Sequence, residues 1–330
     1  MIRHRSYLLS FVTIACAAAV PGSALAQSAF PEKPIRLVVP YGTGSIADTV
    51  PRLISSHVSK SLGQPLVLDY RPGAGGNIGA QNVLNADADG YTLLSAATNN
   101  LVINQYVFKK MTFDPLKRFL PVAQLVDVPL VLTVNASSPI RSLKEFVDYA
   151  RRHAGSMNYA SPSTATIPHL ATEIMLKSLR LDATHVPYKS GAEASTALIA
   201  NDVQFLLIGY STVESGIRAG RLRPVAVMSA VPLPVLPDVP TVAAAGHPEL
   251  VEQVPGNWWA IMAKEGTPPA VVDKLSTAFR DAVNDPAVRK RYEDLGLTPS
   301  SMAPAELTAM MTAEARKWAK VVAELNLSVD

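Results

Sequence analysis

The sequence predicts an α/β protein of two lobes with a ligand cleft at their interface. Short β-branched runs alternate with helically spaced apolar residues in a first region and again in a middle one. A proline-rich crossover near residues 231–240 leads into a helical C-terminal part, which is expected to return to the first lobe. The boundaries that follow are a leader at 1–26, a first lobe of 27–124 plus 253–330, and a second lobe of 125–252.

The elements follow in order. Ile35-Arg36-Leu37-Val38-Val39 is a strand ended by Pro40 and the loop Tyr41-Gly42-Thr43-Gly44-Ser45. Val50, Leu53, Ile54, Val58 and Leu62 then recur at helical spacing until Gly63 stops them. Leu66-Val67-Leu68 is a second strand, followed by the turn 71–77 and a helix to about residue 88. Asp89-Gly90 turns the chain into a third strand, 91–94. The middle region holds a strand at 128–134, a helix at 142–153, a strand at 157–159 and a loop at 161–168 that opens another helix. Further strands are expected at 184–186, 204–208 and 224–228, and helices at 268–284 and 304–325. Strands separated by helices pair in parallel, and ligands in such sheets collect at the carboxyl ends of the strands. No repeat of fixed period is present, which excludes a solenoid.

Composition narrows the function. The 330 residues carry 30 Lys+Arg against 27 Asp+Glu, too even a balance for a nucleic-acid surface. The mean hydropathy of +0.17 has a local source. Arg3 and Arg5 precede an apolar run, and Ala24-Leu25-Ala26 closes it, the pattern of a secretory signal cleaved after Ala26. Removal takes two arginines and no acid, leaving 28 against 27, and it takes Cys16, the single cysteine. Thr13 stands where a lipoprotein signal needs a large aliphatic residue, which argues against Cys16 as a lipid anchor. The mature chain is read as a periplasmic monomer without disulfides. About 300 residues are enough for a core of its own.

Three loops place glycines or hydroxyls between a strand and a helix, and are read as sharing a sheet edge: Gly42-Thr43-Gly44-Ser45, Gly73-Ala74-Gly75-Gly76-Asn77 and Ser161-Pro162-Ser163-Thr164-Ala165-Thr166. Free amides at helix starts attract anions, and the first and third loops hold a carboxylate with neutral donors alone, since neither contains arginine. Two other readings stand beside this one. The glycines serve tight turns and close packing, or Gly42-x-Gly44-x-x-Ala47 is a dinucleotide fingerprint. Gly209-Tyr210-Ser211-Thr212-Val213 begins like a nucleophile elbow but lacks the final glycine. The histidines have no metal-ligand spacing, so neither a metal nor a cofactor is expected.

The chain resembles the periplasmic receptors of the tripartite tricarboxylate transporter class, the Bug type, from its leader to its last helix. The residues that carry the resemblance are Phe30-Pro31-x-Lys33-Pro34-Ile35-Arg36, Leu62-Gly63-Gln64-Pro65, the run 71–80 with Asn77, and Asp89-Gly90-Tyr91-Thr92-Leu93-Leu94. Val186-Pro187-Tyr188-Lys189, Leu236-Pro237-Asp238-Val239-Pro240-Thr241 and Gly266-Thr267-Pro268 extend it. The resemblance implies a type II binding protein with two crossovers, no catalysis, and lobes that close on a small organic anion for delivery to a membrane permease. The expected ligand is a mono- or dicarboxylate, aromatic ones included. It implies first-lobe contacts from Tyr41, Thr43, Gly44, Ser45, Asp48, Ala74, Gly75, Thr98 and Asn99. Second-lobe contacts would be Ser161, Ser163, Thr164, Thr166, His169, Tyr210 and Ser211.

Asp48 is read as a helix-start partner, because a carboxylate repels an anion. Trp258 and Trp259 are read two ways: one of them faces the cleft and stacks on an aromatic ligand, with Trp258 taken as that residue, or both are buried at the lobe junction. Departures from the family pattern fall at Ser45, Ser163, Ala165, Pro168, Gln204 and the pair Gly209-Tyr210, so a relative's ligand does not transfer directly. Two alternatives remain at this level: an exported hydrolase using Ser161 or Ser163 with His169, and a sensor that presents its closed form to a sensor kinase.

Overall fold

A computed structural model describes residues 30–43, 46–254, 256–324 and 328. The leader and its cleavage site lie outside these residues, as do Gly44 and Ser45. Along the chain run β1 (Ile35–Val39), α1 (Ile46–Leu62), β2 (Leu66–Tyr70), a single turn at Ala74–Gly76, α2 (Asn77–Leu84), β3 (Thr92–Ala97) and a wide turn at Asn99–Ile103. Next come α3 (Asn104–Val107), α4 (Pro115–Arg118), β4 (Phe119–Asp127), β5 (Leu130–Asn135), α5 (Leu143–Arg152), β6 (Asn158–Ser161) and α6 (Ile167–Leu179). They are followed by β7 (Thr184–Pro187), α7 (Gly191–Ala200), β8 (Phe205–Gly209), α8 (Tyr210–Arg218), β9 (Leu222–Met228) and α9 (Glu249–Gln253). The chain closes with β10 (Trp258–Lys264), α10 (Pro269–Asn284), α11 (Pro286–Asp294), β11 (Thr298–Pro299) and α12 (Pro304–Glu324).

The strands form two sheets, ordered β11-β4-β10-β3-β1-β2 and β7-β6-β8-β5-β9. One plan is used twice. In the first, β2, β1 and β3 are parallel and the antiparallel β10 joins β3 to β4. In the second, β7, β6 and β8 are parallel and the antiparallel β5 joins β8 to β9. Each inserted antiparallel strand comes from across a crossover, which is the type II binding-protein arrangement that the sequence reading expected. The repeat is in topology, not in residues. Strands β4 and β9, the neighbours of the two inserted strands, each carry a proline at a register shift, Pro121 against β10 and Pro224 against β5, where a ladder lacking one N–H costs least.

Local chemistry explains the ends of the elements. Gly63, at φ 70, ends α1 in the left-handed conformation that glycine adopts freely. Helix α2 stops at Leu84 rather than near residue 88, and Asp89 Oδ1 accepts the Tyr91 N–H at 3.0 Å to start the turn into β3. Ser142 and Ser190 cap α5 and α7 by accepting the N–H of Glu145 and Glu193, each at 3.2 Å. Each of these glutamates in turn accepts the N–H of the residue just before its serine. Strands β4, β10 and β11 and helices α3, α4, α9 and α11 are additional to the sequence expectation.

Residues 31–330 form one contact unit, and a single apolar cluster runs through both sheets. Val38, Leu94, Ala260 and Met262 belong to it from the first sheet, and Leu132, Tyr159 and Phe205 from the second. Of the predicted loops, the Ser161 loop does not share an edge with the first two. It follows β6 in the other sheet and faces them.

Candidate functional site

The carboxyl ends of all six parallel strands open on the space between the sheets. Two adjoining cavities occupy it, of about 700 Å³ and about 1070 Å³. They share Tyr41, Thr43, Asn99, Pro162, Thr166, Ser190 and Gly191, so the two form one cleft with two chambers.

The larger chamber has a polar floor built around one carbonyl. Gly75 O accepts from the amides of Asn100 at 2.7 Å, Asn104 at 3.0 Å and Asn99 at 3.2 Å, and from the Tyr41 hydroxyl at 3.3 Å. A carbonyl oxygen has two lone pairs, so four donors exceed what it satisfies. The single Tyr41 proton is shared between that carbonyl and Asn100 Oδ1 at 3.0 Å, and the hydroxyl oxygen receives the Asn99 amide at 2.8 Å. Burial pushes this hydroxyl up to about 12, so it stays protonated and a donor. The cradle requires glycine: a Cβ at Gly75 would lie 2.8 Å from Phe108 Cζ, and one at Gly76 would overlap the Asn100 amide. Both have positive φ, 61° and 93°.

Across the cleft, Pro162, Ser163, Thr164, Ala165 and Thr166 line the larger chamber, with Lys110 and Lys189 exposed beside them. The smaller chamber is mainly apolar, walled by Ile46, Val128, Ile208, Leu295, Leu297 and the Trp259 ring, with Ser211, Thr212 and Glu214 among its polar groups.

Of the predicted contacts, Tyr41, Thr43, Ala74, Gly75, Asn99, Ser163, Thr164, Thr166 and Ser211 line the cleft. Others stand behind it. Asp48 is buried in the first turn of α1 and accepts Arg52 Nη2 at 2.6 Å and the Tyr70 hydroxyl at 2.6 Å, so the side chains of Arg52 and Tyr70 hold it. Thr98 Oγ1 accepts the Trp258 N–H at 2.8 Å and fastens β3 to β10. Ser161 and His169 are buried behind their loop, and Tyr210 packs on Val131, Val227 and Leu236.

Trp258 is the clearest correction. It is 1% exposed and its indole donates to Glu314 at 2.8 Å, while its neighbour Trp259 lines the smaller chamber. Consecutive strand residues face opposite sides, so only one of the pair reaches the cleft. The pairing of Ser161 with His169 in the hydrolase alternative also fails on geometry. The Ser161 hydroxyl is fully buried and donates to Ser163 O at 2.8 Å, and His169 Nδ1 is occupied by the Ala165 N–H at 3.1 Å.

The sequence reading passed over the loop after β7, where Lys189, Ser190 and Gly191 line the cleft. Its signal was present, since Ser190-Gly191-x-Glu193 puts a capping box and a glycine at the same strand-to-helix position as the other loops. Asn100 and Asn104 were also missed. They lie on the turn after Asn99, and nothing local marks them as facing Gly75.

Among known proteins, a family model described as the tripartite tricarboxylate transporter family receptor matches residues 50–327. The protein in the tcbD-tcbE intergenic region of Pseudomonas sp. (strain P51) is 33% identical over 303 residues, covering 92% of this chain and 89% of that one. The structure of R. palustris Rpa4515 with adipate is similar at TM-score 0.82 and 30% identity, covering 91% of this chain and 100% of that one. MatC from Rhodopseudomonas palustris with bound malate is similar at TM-score 0.77 and 31% identity, covering 89% and 100%.

Proposed function

The chain belongs to the tripartite tricarboxylate transporter receptor family, a family of solute receptors and not of enzymes, and from that premise we propose that it captures a small carboxylate in the periplasm and delivers it to a membrane permease. The observation that carries this reading is the surplus of neutral donors on Gly75 O. Tyr41 and Asn99 border both chambers and share that carbonyl with Asn100 and Asn104. A carboxylate oxygen in reach of Tyr41 and Asn99 would take the donors that the carbonyl leaves unfilled, without a cation in contact.

The preferred ligand is a mono- or dicarboxylate with an apolar body, aromatic ones included. Its charged end would sit over the asparagine floor, and its body would enter the chamber walled by Trp259, Ile46, Ile208 and Leu297. Adipate and malate, seen with two similar structures, are the first acids to try. On this reading the export signal is removed after Ala26, the receptor is a monomer, and 27–124 plus 253–330 close against 125–252 about the crossovers. The sheet memberships support that division, with β4 running on to Asp127.

The test is thermal unfolding of the mature chain against C4 and C6 diacids and aromatic monoacids, each paired with its uncharged amide. A binding acid at a hundredfold excess over its dissociation constant stabilises the fold by about 2.7 kcal/mol, and its amide does not. A panel in which no acid moves the transition, or in which amides act equally, overturns the reading.

A further inference from the structure

Behind the Ser161 loop two histidines lie face to face. The rings of His169, on α6, and His185, on β7, are 3.9 Å apart at 21°. Each ring makes one hydrogen bond to the loop. Ala165 N–H donates to His169 Nδ1 at 3.1 Å, and Ser161 Oγ lies 2.7 Å from His185 Nε2. The chemistry settles where the protons are. His169 Nδ1 accepts, so its ring is neutral with the proton on Nε2. The Ser161 hydroxyl gives its own proton to Ser163 O, so its oxygen accepts from His185 Nε2–H.

Both bonds act on the stretch of loop that reaches the cleft. Ala165 has φ 61, a left-handed backbone that a non-glycine residue adopts only when its surroundings hold it there. Pro162, Ser163, Thr164 and Thr166 all line the larger chamber. Thr166 Oγ1 closes the loop by donating to Ser163 O at 2.9 Å. The histidines therefore hold the two ends of the ligand-facing segment from its buried side.

We propose that His169 and His185 are positioning residues that, as a neutral stacked pair, hold the loop 161–166 in the shape it offers to the ligand. The proposal rests on the receptor reading for the ligand's presence, but not for the loop's shape. The surroundings keep the pair neutral. Tyr159 of β6 stacks on both rings, with its hydroxyl donating to Glu173 of α6, and Phe205 of β8 stacks on Tyr159. Burial holds His169 down to about 4, with the neighbouring His185 adding to it, and burial lowers His185 as well. A proton on His169 would occupy Nδ1 and turn it toward the Ala165 N–H as a second donor, which opens that end of the loop.

The experiment uses the mature chain without ligand. Imidazole ¹⁵N spectra at pH 7 should show both rings neutral as Nε2–H tautomers. Amide exchange at Ala165 should rise at least tenfold in His169→Leu, with exchange in the β5 and β8 core unchanged. In His169→Asn, whose side-chain oxygen stands near the position of Nδ1, Ala165 should keep its protection. His185→Gln should likewise keep the Ser161 contact that His185→Leu loses. A parallel titration with adipate reads the loop through ligand affinity, which should fall at least tenfold in His169→Leu and recover in His169→Asn. An Ala165 amide still protected in His169→Leu, equal behaviour of the Leu and Asn variants, or a charged ring at pH 7 overturns the proposal. If the loop results hold while no acid binds the wild type, the ligand reading has failed and the positioning role stands.

Discussion

Replacing Gly76 by alanine tests the asparagine floor directly, with Gly63→Ala as its control. Both glycines have positive φ, 93° and 70°, so each substitution carries the left-handed backbone cost of roughly 1 to 2 kcal/mol. They differ in what the new methyl meets. At Gly63 nothing lies within 4 Å, whereas at Gly76 the methyl overlaps the Asn100 amide and comes 3.2 Å from Tyr41 Oη. Asn100 must then move, giving up its bond to Gly75 O at 2.7 Å and leaving the Ala97 N–H, now 3.1 Å from Asn100 Oδ1, without a partner. A buried donor left unpaired costs about 1 to 3 kcal/mol, so Gly76→Ala should lose about 3 kcal/mol in all against about 1 for Gly63→Ala. Urea unfolding followed by tryptophan fluorescence gives both numbers, and calorimetry with a binding acid gives affinity. Gly76→Ala should also lose ligand affinity at least tenfold, and Gly63→Ala should keep it. Equal stability losses, or full affinity in Gly76→Ala, would refute the reasoning.

Tyr41→Phe removes a cleft donor and should weaken binding of a carboxylate ten- to a hundredfold by calorimetry, about 1.5 to 3 kcal/mol, the range for a hydrogen bond to a charged group. Glu314 is held up to about 7 by burial and then by the charge of Asp127, which burial itself raises to about 6. The folded chain therefore binds more protons than the unfolded one between about pH 4 and 7, and stability falls as pH rises across that window. Glu314→Gln keeps an acceptor for the Trp258 indole and should remove about 2 kcal/mol of that fall between pH 5 and 8, read by urea titration. His169, lowered to about 4 from its usual 6.5, works the other way, because the unfolded chain takes up the proton first and stability falls as pH drops from 6.5 toward 4. In the Glu314→Gln background two opposed contributions remain between about pH 4 and 6, Asp127 making stability fall as pH rises and His169 making it rise, so adding His169→Asn should leave the fall due to Asp127.

What the sequence conveyed is what neighbours within a few residues decide. Ser142 and Ser190 caps, the Gly63 stop and the Asp89 turn are satisfied by groups at most four positions away. The parallel strands and their loops could therefore be read. Strand β4 could not, because Pro121 marks a break in a strand and is tolerated only at the shift against β10, which arrives from well over a hundred residues later. His185 reaches Ser161 across 24 residues, and Asn100 reaches Gly75 across 25. No spacing rule connects such pairs before the sheets are assembled.

The corrected site residues share one physical cause. Thr98, Ser161, His169, Tyr210 and Trp258 each lie next to a residue or loop that lines the cleft, so proximity in sequence brought them into the predicted site. Direction excluded them. A strand sends alternate side chains to opposite faces, and the first turn of a helix sends some inward to the core. At β10 that alternation decides which indole is available. Trp258 pairs with Asp127 and turns to Glu314, whereas Trp259 pairs with Ala97 and Val126 and turns to the chamber. The buried members still act on the ligand indirectly. Thr98 fixes the strand end that carries Asn99 and Asn100, and His169 fixes the loop that carries Ser163 and Thr164. A receptor with a formal net charge of only +3 over 330 residues has no broad positive field to draw an anion in. On the proposed reading its affinity comes from donors already aimed before the ligand arrives, and so depends as much on these supports as on the groups that touch it.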